Sequence, residues 1–428
     1  MKIEKDIIKE HISGMFLYIK ALAKWVLVSS LAGILCGFIG SAFHLGVSYV
    51  TAMRASSPWL LYLLPAAGIV IVALYRLCSV EGHSTNNVIS EVQTGKGLRW
   101  GLIPAVFFST ILTHLCGGSS GREGAALQMG GTIGFELGKL LHLDDKDLRT
   151  ATIVGMAAFF SALFGTPIAA TIFAMAVISV GILYYNALIP CLLASLVAYR
   201  VSLLVGIEPT RFNVLTPSLS AAMLLRVSVL AALCAFLSAF FCSVLHFAEH
   251  WMQRNLPNPY LRILCGAVVI ILLTLLCGTT DYNGAGSHVI VRAIEQERAA
   301  PWAFLLKILF TSVTLAAGFK GGEVVPSFFI GAVFGCTIGP LLGIPAGFAA
   351  AVGLICVFCG AVNCPIASVF LSIELFGSEA LIYFTVACAL SYVLSGYSGL
   401  YSSQRILYDK IKARYIDIHT NSYYQGES

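Results

Sequence analysis

The chain has 428 residues, of which 58% are hydrophobic and only 11% charged, against roughly 25% charged in a soluble domain. That composition excludes a water-soluble globular protein and points to an all-α polytopic membrane protein with the lipid bilayer as its surroundings. The net charge of +5 is modest, and no nucleic-acid partner is expected. Trp25 to Met53, Ala151 to Tyr199, Val324 to Ile373 and Ala380 to Gln404 contain no Asp, Glu, Lys or Arg. A single span needs only about 20 residues, so the two longest of these stretches each hold more than one membrane segment. Many of the 40 glycines fall inside apolar stretches, which suggests close helix packing and helices broken within the membrane.

In chain order, Lys2, Lys5, Lys9, Lys20 and Lys24 lead into the first span, and Arg405, Lys410, Lys412 and Arg414 follow the last. The positive-inside rule makes both termini cytoplasmic. Residues 1–20, with Glu4, Asp6 and Glu10, read as a short amphipathic segment and not as a cleaved signal peptide. Residues 21–205 and 206–418 then read as two membrane repeats, and 419–428 as a cytoplasmic tail. From Ala21 to Tyr75 two apolar helices are expected, with a turn at Ser56, Ser57 and Pro58. The first polar cluster is VEGHSTNNVISEV, Val80 to Val92. Serine, threonine and asparagine before an apolar pair are common helix caps. Asn86 and Asn87 nevertheless bring four amide donors, which is what an anion needs.

A helix over Leu102 to Leu115 delivers the chain to GGSSGREGAALQMGG, Gly117 to Gly131. His114 on that helix reads as a satisfied core histidine. The glycines let backbone amides approach something closely, and a following helix would aim its unpaired N–H groups at it. This predicts an anion site, with Glu123 at the positive end of the helix where a carboxylate can take the place of a free anion. The alternative is a tight packing loop with a structural Arg122–Glu123 ion pair.

Beyond the DDKDLR turn at Asp144 to Arg149, Pro167 stands among small residues in FFSALFGTPIAATIFAMAV, which suggests a broken helix lining a cavity. A more polar connection follows from Arg200 to Arg226, then apolar helices from Val227, a charged turn at Glu249 to Arg262, and the glycine-bearing loop TTDYNGAGS at Thr279 to Ser287. Next, KILFTSVTLAAGFKGGEVVPSFFIGAVFG again sets glycines and a carboxylate, Glu323, before an apolar helix. The two halves therefore match: GREG with GGEV, and FSALFGTPIAATIFAMA with VFCGAVNCPIASVFLSIE around Pro365. An internal repeat with broken helices in corresponding places is the mark of a transporter with its site at the repeat interface. Aligned on the prolines, Glu374 faces Ala176. Cys356, Cys359 and Cys364 read as small packing residues and not as metal ligands, and no metal or cofactor is expected.

These residues resemble the CLC family of anion channels and proton-coupled exchangers. Gly121 to Gly124 is similar to the family's G-[KR]-E-G-P motif, Gly322 to Pro326 to its G-x-F-x-P motif, and GLYSSQ at Gly399 to its C-terminal tyrosine segment. The resemblance implies a homodimer with one anion pathway per subunit, two inverted-topology halves, and many tilted and broken helices whose N-termini meet at a central site. It implies that Glu123 is the gate, competing with the anion and swinging or protonating to open the path. It also implies that the Tyr401 hydroxyl faces the anion and that backbone amides of Gly121, Arg122, Gly124, Gly322, Val324 and Val325 cradle it.

Departures from the family pattern narrow the branch. STNNVISEV stands in place of G-S-G-I-P, putting Asn86 near the anion-contacting serine, with Asn87 beside it. Ala125 replaces the proline after GREG, and Glu323 replaces an apolar or small residue. The inner proton-transferring glutamate of chloride/proton exchangers would fall at Ala176 or Val177, neither of which carries a proton. The combination resembles the fluoride-exporting branch, which implies fluoride export in exchange for protons through Glu123 and Glu323, in a bacterial inner membrane. That branch often has a hydroxyl where Val325 stands. Fluoride binds water strongly, so stripping it needs several good donors. Two rivals remain. One is a chloride channel or chloride/proton exchanger of the same family. The other is an enzyme, an intramembrane serine protease using Ser119 or Ser120, because Gly118 to Gly121 also reads G-x-S-G. The protease lacks an evident histidine partner. Lys320 is a candidate ion-pair partner that would make Glu323 purely structural.

Overall fold

The structure, a computed structural model, describes residues 2–95 and 97–421; residues 422–428, most of the expected tail, lie outside the described residues. Helix α1 (Lys2–Ser56) is continuous, so residues 2–20 begin the helix of the first span and do not form a separate one. The amphipathic reading of that segment rests mostly on side chains outside the described ones. A short 3-10 helix, Pro58–Leu63, follows the turn at Ser57 and leads into α2 (Leu64–Leu77). Both have proline in their first turn, where a missing N–H breaks no helical bond. The first half continues with α3 (Thr85–Thr94), α4 (Leu102–Leu115), α5 (Glu123–Leu140), α6 (Asp145–Phe164), α7 (Pro167–Ala176) and α8 (Leu188–Leu204). The second comprises α9 (Ala221–Asn255), α10 (Pro259–Cys277), α11 (Ser287–Glu295), α12 (Ala303–Ala317), α13 (Val324–Ile338), α14 (Ala346–Val362), α15 (Pro365–Phe376) and α16 (Leu381–Leu394).

Among the described residues, six segments are long and apolar enough to cross a membrane: Tyr18–Ser56, Pro58–Leu77, Asp145–Phe164, Tyr185–Leu204, Ala221–Asn255 and Pro259–Cys277. Others are too short. With 10 residues, α7 is about 15 Å long at 1.5 Å per residue, half of a core about 30 Å thick. Such half-helices end within the protein, where their terminal N–H groups must find partners.

The two halves repeat one unit. In the first, α5 lies against α6 so closely that a Cβ on Gly134 would stand 2.0 Å from the Ala151 carbonyl oxygen. In the second, α13 lies against α14, and a Cβ on Gly335 would stand 2.0 Å from the Ala349 oxygen. Each pair is followed by the same break. Gly165 and Asn363, at φ 68° and 57°, end α6 and α14 in the left-handed region, and Pro167 and Pro365 open α7 and α15. Asn363 holds this conformation with its side chain tied down, its Nδ2 donating to the Ser398 oxygen at 2.9 Å and to Gln404 Oε1 at 3.2 Å. Glu374, on α15, accepts from the N–H groups of Ile168 at 3.0 Å and Ala169 at 2.8 Å. The carboxylate that the repeat alignment set opposite Ala176 therefore caps the other end of α7.

One feature departs from an all-helical chain. Ser179–Val180 (β1), Arg405–Tyr408 (β2) and Tyr415–His419 (β3) form a small sheet in the order β1-β2-β3. The pairing is parallel for β1 with β2 and antiparallel for β2 with β3. The basic segment after the last helix is thus a hairpin. It is anchored by Arg405 Nε on Asp417 Oδ1 at 2.9 Å and by Lys410 Nζ on the Tyr392 oxygen at 2.8 Å. This sheet joins the segment after α7 to the C-terminal segment that follows Tyr401. Cys356, Cys359 and Cys364 are buried free thiols.

Candidate anion site

The two glycine loops meet. Gly121 N–H donates to the Gly322 oxygen at 2.7 Å, and Gly322 N–H to the Gly121 oxygen at 2.9 Å. Only glycine permits this approach: a Cβ on Gly322 would stand 2.5 Å from the Gly124 nitrogen, and one on Gly124 2.9 Å from the Gly321 oxygen. The bridge sets the N-terminus of α5 beside that of α13. Orphan N–H groups from both halves converge there, an arrangement that favours negative charge.

The Glu123 carboxylate occupies the point of convergence. Its Oε2 accepts from Arg122 N–H at 3.0 Å and from Val325 N–H at 3.1 Å, so a side-chain oxygen stands where a free anion would sit. Oε1 is buried without a partner. Arg122 contributes its backbone and not its charge. Its guanidinium lies elsewhere, Nη1 being 3.0 Å from His44 Nδ1 and Cζ 5.7 Å from the Phe164 ring centroid. The adjacent charges are therefore not the structural ion pair considered for this loop. Val324, buried, opens α13 beside Val325.

A cavity of about 120 Å³ is lined by Thr85, Asn86, Gln128, Glu323 and Tyr401, with His246, Glu249 and Lys320 also on its wall. Tyr401 Oη, Glu323 Oε2 and Gln128 Oε1 are buried without partners. Buried polar atoms are normally satisfied, so three around one cavity mark a place made for a polar occupant. Their chemistry differs: the tyrosine hydroxyl can donate to an anion, whereas the two oxygens need a proton or a donor. Asn86 Oδ1 accepts from Ser403 N–H at 3.1 Å, which leaves its NH2 group as the free end.

Asn87 does not line this cavity. Its Oδ1 accepts from Ser84 N–H at 2.8 Å, closing the capping arrangement of α3. Glu323 sits at the N-cap position of α13. The candidate Lys320 pair is not among the described ion pairs; Lys320 Nζ lies 4.2 Å from the Tyr75 ring centroid instead. Ala176 and Val177 end α7 without an ionisable side chain. His114 is buried with neither ring nitrogen partnered, which corrects its reading as a satisfied core histidine. The protease rival needs a base beside Ser119 or Ser120, and Ser120 Oγ is buried without a partner. Ser119 Oγ lies 3.0 Å from Lys307 Nζ, but that nitrogen also donates to two carbonyl oxygens, and an ammonium has no lone pair to accept the hydroxyl proton.

Thr85 and Gln128 were not foreseen. Gln128 Nε2 donates to Thr85 Oγ1 at 3.2 Å, and Thr85 Oγ1 to the Gly124 oxygen at 3.4 Å. The available signal was Gln128 standing as the one polar side chain between Glu123 and Thr132.

Matched helical halves that each bring one helix N-terminus, α5 and α13, to the same carboxylate inside a membrane protein define an anion transport protein. The chain belongs to the voltage gated chloride channel family, CLC, whose family model matches residues 67–396. It is 34% identical over 399 residues to a chloride/fluoride channel protein of Pseudomonas syringae pv. tomato, covering 91% of this chain and 88% of the relative. It is 24% identical over 426 residues to an H(+)/Cl(−) exchange transporter, ClcA, of Vibrio vulnificus, covering 92% and 90%. Among solved structures it resembles a CLC-type fluoride/proton antiporter with TM-score 0.86 and 35% identity, over 90% of this chain and 98% of that one. A slow cyanobacterial Cl−/H+ antiporter matches with TM-score 0.72 and 18% identity, over 87% and 94%, a likeness of fold.

Proposed function

We propose that the protein exports fluoride in exchange for protons, as a homodimer in the cell membrane with both termini cytoplasmic. One observation carries the choice of fluoride/proton exchange over chloride transport: Glu323, a second buried carboxylate with an unpartnered oxygen, shares a cavity with Tyr401 and Asn86. Relatives named a chloride/fluoride channel protein and a fluoride/proton antiporter support the same reading.

In this reading Glu123 closes the pathway while its carboxylate sits on the Arg122 and Val325 amides. Protonation removes the charge that holds it there, and fluoride takes the vacated amides. The Tyr401 hydroxyl and the Asn86 NH2 replace water on an ion that accepts hydrogen bonds strongly. Glu323 passes protons in place of the carboxylate missing at Ala176 and Val177. Outward fluoride then moves against inward protons, which removes fluoride that entered as hydrogen fluoride.

The deciding experiment uses proteoliposomes with fluoride or chloride gradients of equal size, following anion loss and proton movement together. The expected result is proton movement driven by fluoride and not by chloride. Equal driving by chloride would overturn the selectivity, and loss of anions without protons would overturn the exchange.

A further inference from the structure

Lys307, in α12, is 0% exposed in a chain with few charges. Its Nζ donates to Ser119 Oγ at 3.0 Å, the Tyr282 oxygen at 3.1 Å and the Gly284 oxygen at 2.7 Å. Three acceptors match the three N–H groups of an ammonium, and the Phe329 ring centroid lies 5.3 Å away, near enough for a cation–π contact. Lys307 is in none of the described ion pairs. The carboxylate in the neighbouring loop, Asp281, is held by Arg292 Nη2 at 2.5 Å and His288 Nε2 at 3.0 Å. A buried cation held only by neutral oxygens is costly, and its position suggests what offsets that cost.

Its contacts converge on the segment leading into the gate. Ser119 is also fixed by its Oγ against Thr311 Oγ1 at 3.1 Å and by its N–H donating to Thr314 Oγ1 at 3.0 Å. Asn283 Nδ2 donates to the Gly117 oxygen at 2.7 Å, and Gly284 N–H to the Gly118 oxygen at 3.0 Å. Every one of these partners belongs to the second half. Only Ser120 separates Ser119 from Gly121, which bridges to Gly322, and Arg122 N–H, which holds the Glu123 carboxylate, comes next.

We propose that Lys307 is a positioning residue for the exchange: it ties the Gly117–Gly121 segment and the Tyr282–Gly284 loop together, so that the Arg122 and Val325 amides converge on a single anion. The inference rests on the reading of Glu123 as the gate. Without the ammonium the segment loses its common anchor, the two sets of amides separate, and fluoride and the Glu123 carboxylate no longer exclude one another strictly.

The test measures fluoride KM, protons moved per fluoride and thermal melting for wild type, Lys307→Met and Ser119→Ala. In Lys307→Met, fluoride KM should rise about tenfold and protons per fluoride should fall by about half, as expected for an interaction that organises the site. A role in folding alone would lower yield and melting temperature while leaving KM and coupling as in wild type, and that outcome overturns the proposal. Ser119→Ala keeps the lysine on its two carbonyl oxygens, so it decides the matter where Lys307→Met does not fold. A rise in KM with weaker coupling supports the proposal, and unchanged KM and coupling overturn it. Absence of fluoride-driven proton movement in wild type would instead overturn the underlying exchange reading.

Discussion

Glu123, from the first half of the chain, accepts a hydrogen bond at 3.1 Å from the backbone N–H of Val325, in the second half. One side chain thereby reads the relative position of both halves, because its other bond at Oε2 comes from Arg122 in its own loop. The neighbouring Gly121–Gly322 bridge fixes the distance over which it does so.

Glu123→Gln keeps the shape and removes the charge. An amide group cannot cycle between charged and neutral forms, so proton movement should stop while residual fluoride flux becomes passive. Proton uptake recorded with a pH electrode during fluoride efflux checks this. Undiminished fluoride-driven uptake would reject Glu123 as the coupling group.

Tyr401→Phe and Asn86→Ala each remove one donor from the cavity wall. A lost donor to a desolvated anion should cost about 1 to 3 kcal/mol, which calorimetry would record as weaker fluoride binding. The two effects should add less than fully, because Asn86 Oδ1 holds the backbone of Ser403 in the Tyr401 segment. Wild-type affinity in both single variants would remove these residues from the site. Asn87→Ala is the contrast: its carboxamide caps α3, so it should lower stability by about 0.5 to 2 kcal/mol with little change in affinity.

That contrast shows what was legible in the sequence. Glycine where two backbones must touch leaves an unmistakable pattern, so Gly121, Gly322 and Glu123 stood out, as did the prolines that restart α7 and α15. Adjacent residues on a helix, however, point about 100° apart. Nothing in the string NN tells which asparagine caps and which faces the cavity. The Lys320–Glu323 spacing suggested a pair only on the assumption of a helix, and the chain there is a loop that turns the lysine to Tyr75. The sheet escaped notice because β1 has 2 residues, too few for an alternating pattern. Lys307 escaped because its partners are distant carbonyl groups.

Gly322→Ala tests the bridge itself. The added Cβ would meet the Gly124 nitrogen at 2.5 Å and the Glu123 nitrogen at 2.8 Å, backbone atoms that cannot turn aside. Overpacking of this kind costs about 1 to 3 kcal/mol, here by parting the helix N-termini. Melting temperature should fall and coupled exchange should be lost together. A fully coupled Gly322→Ala protein would mean that the bridge does not define the site.

Glu323→Gln decides between fluoride/proton exchange and a chloride mechanism. Glu323 Oε2 is buried without a partner, and Lys320, the residue that would have made it structural, lies over Tyr75 instead. A structural ion pair would predict misfolding in Glu323→Gln, relieved by also replacing Lys320. With Lys320 over Tyr75 and no such pair among the described ion pairs, the reverse is expected: the single variant should fold, melt near wild type and remain soluble in detergent, because glutamine suits a site in which no ion pair is broken. What it should lose is proton transfer, because the chain offers no carboxylate at Ala176 or Val177 to replace it. Coupled exchange should slow by about a hundredfold or more, the lower end of what a proton-transferring group contributes. The comparison requires fluoride and proton fluxes in the same proteoliposomes, with melting measured on the same preparation. Normal coupled exchange by a well-folded Glu323→Gln protein would remove Glu323 from the proton path and put chloride transport back on equal terms.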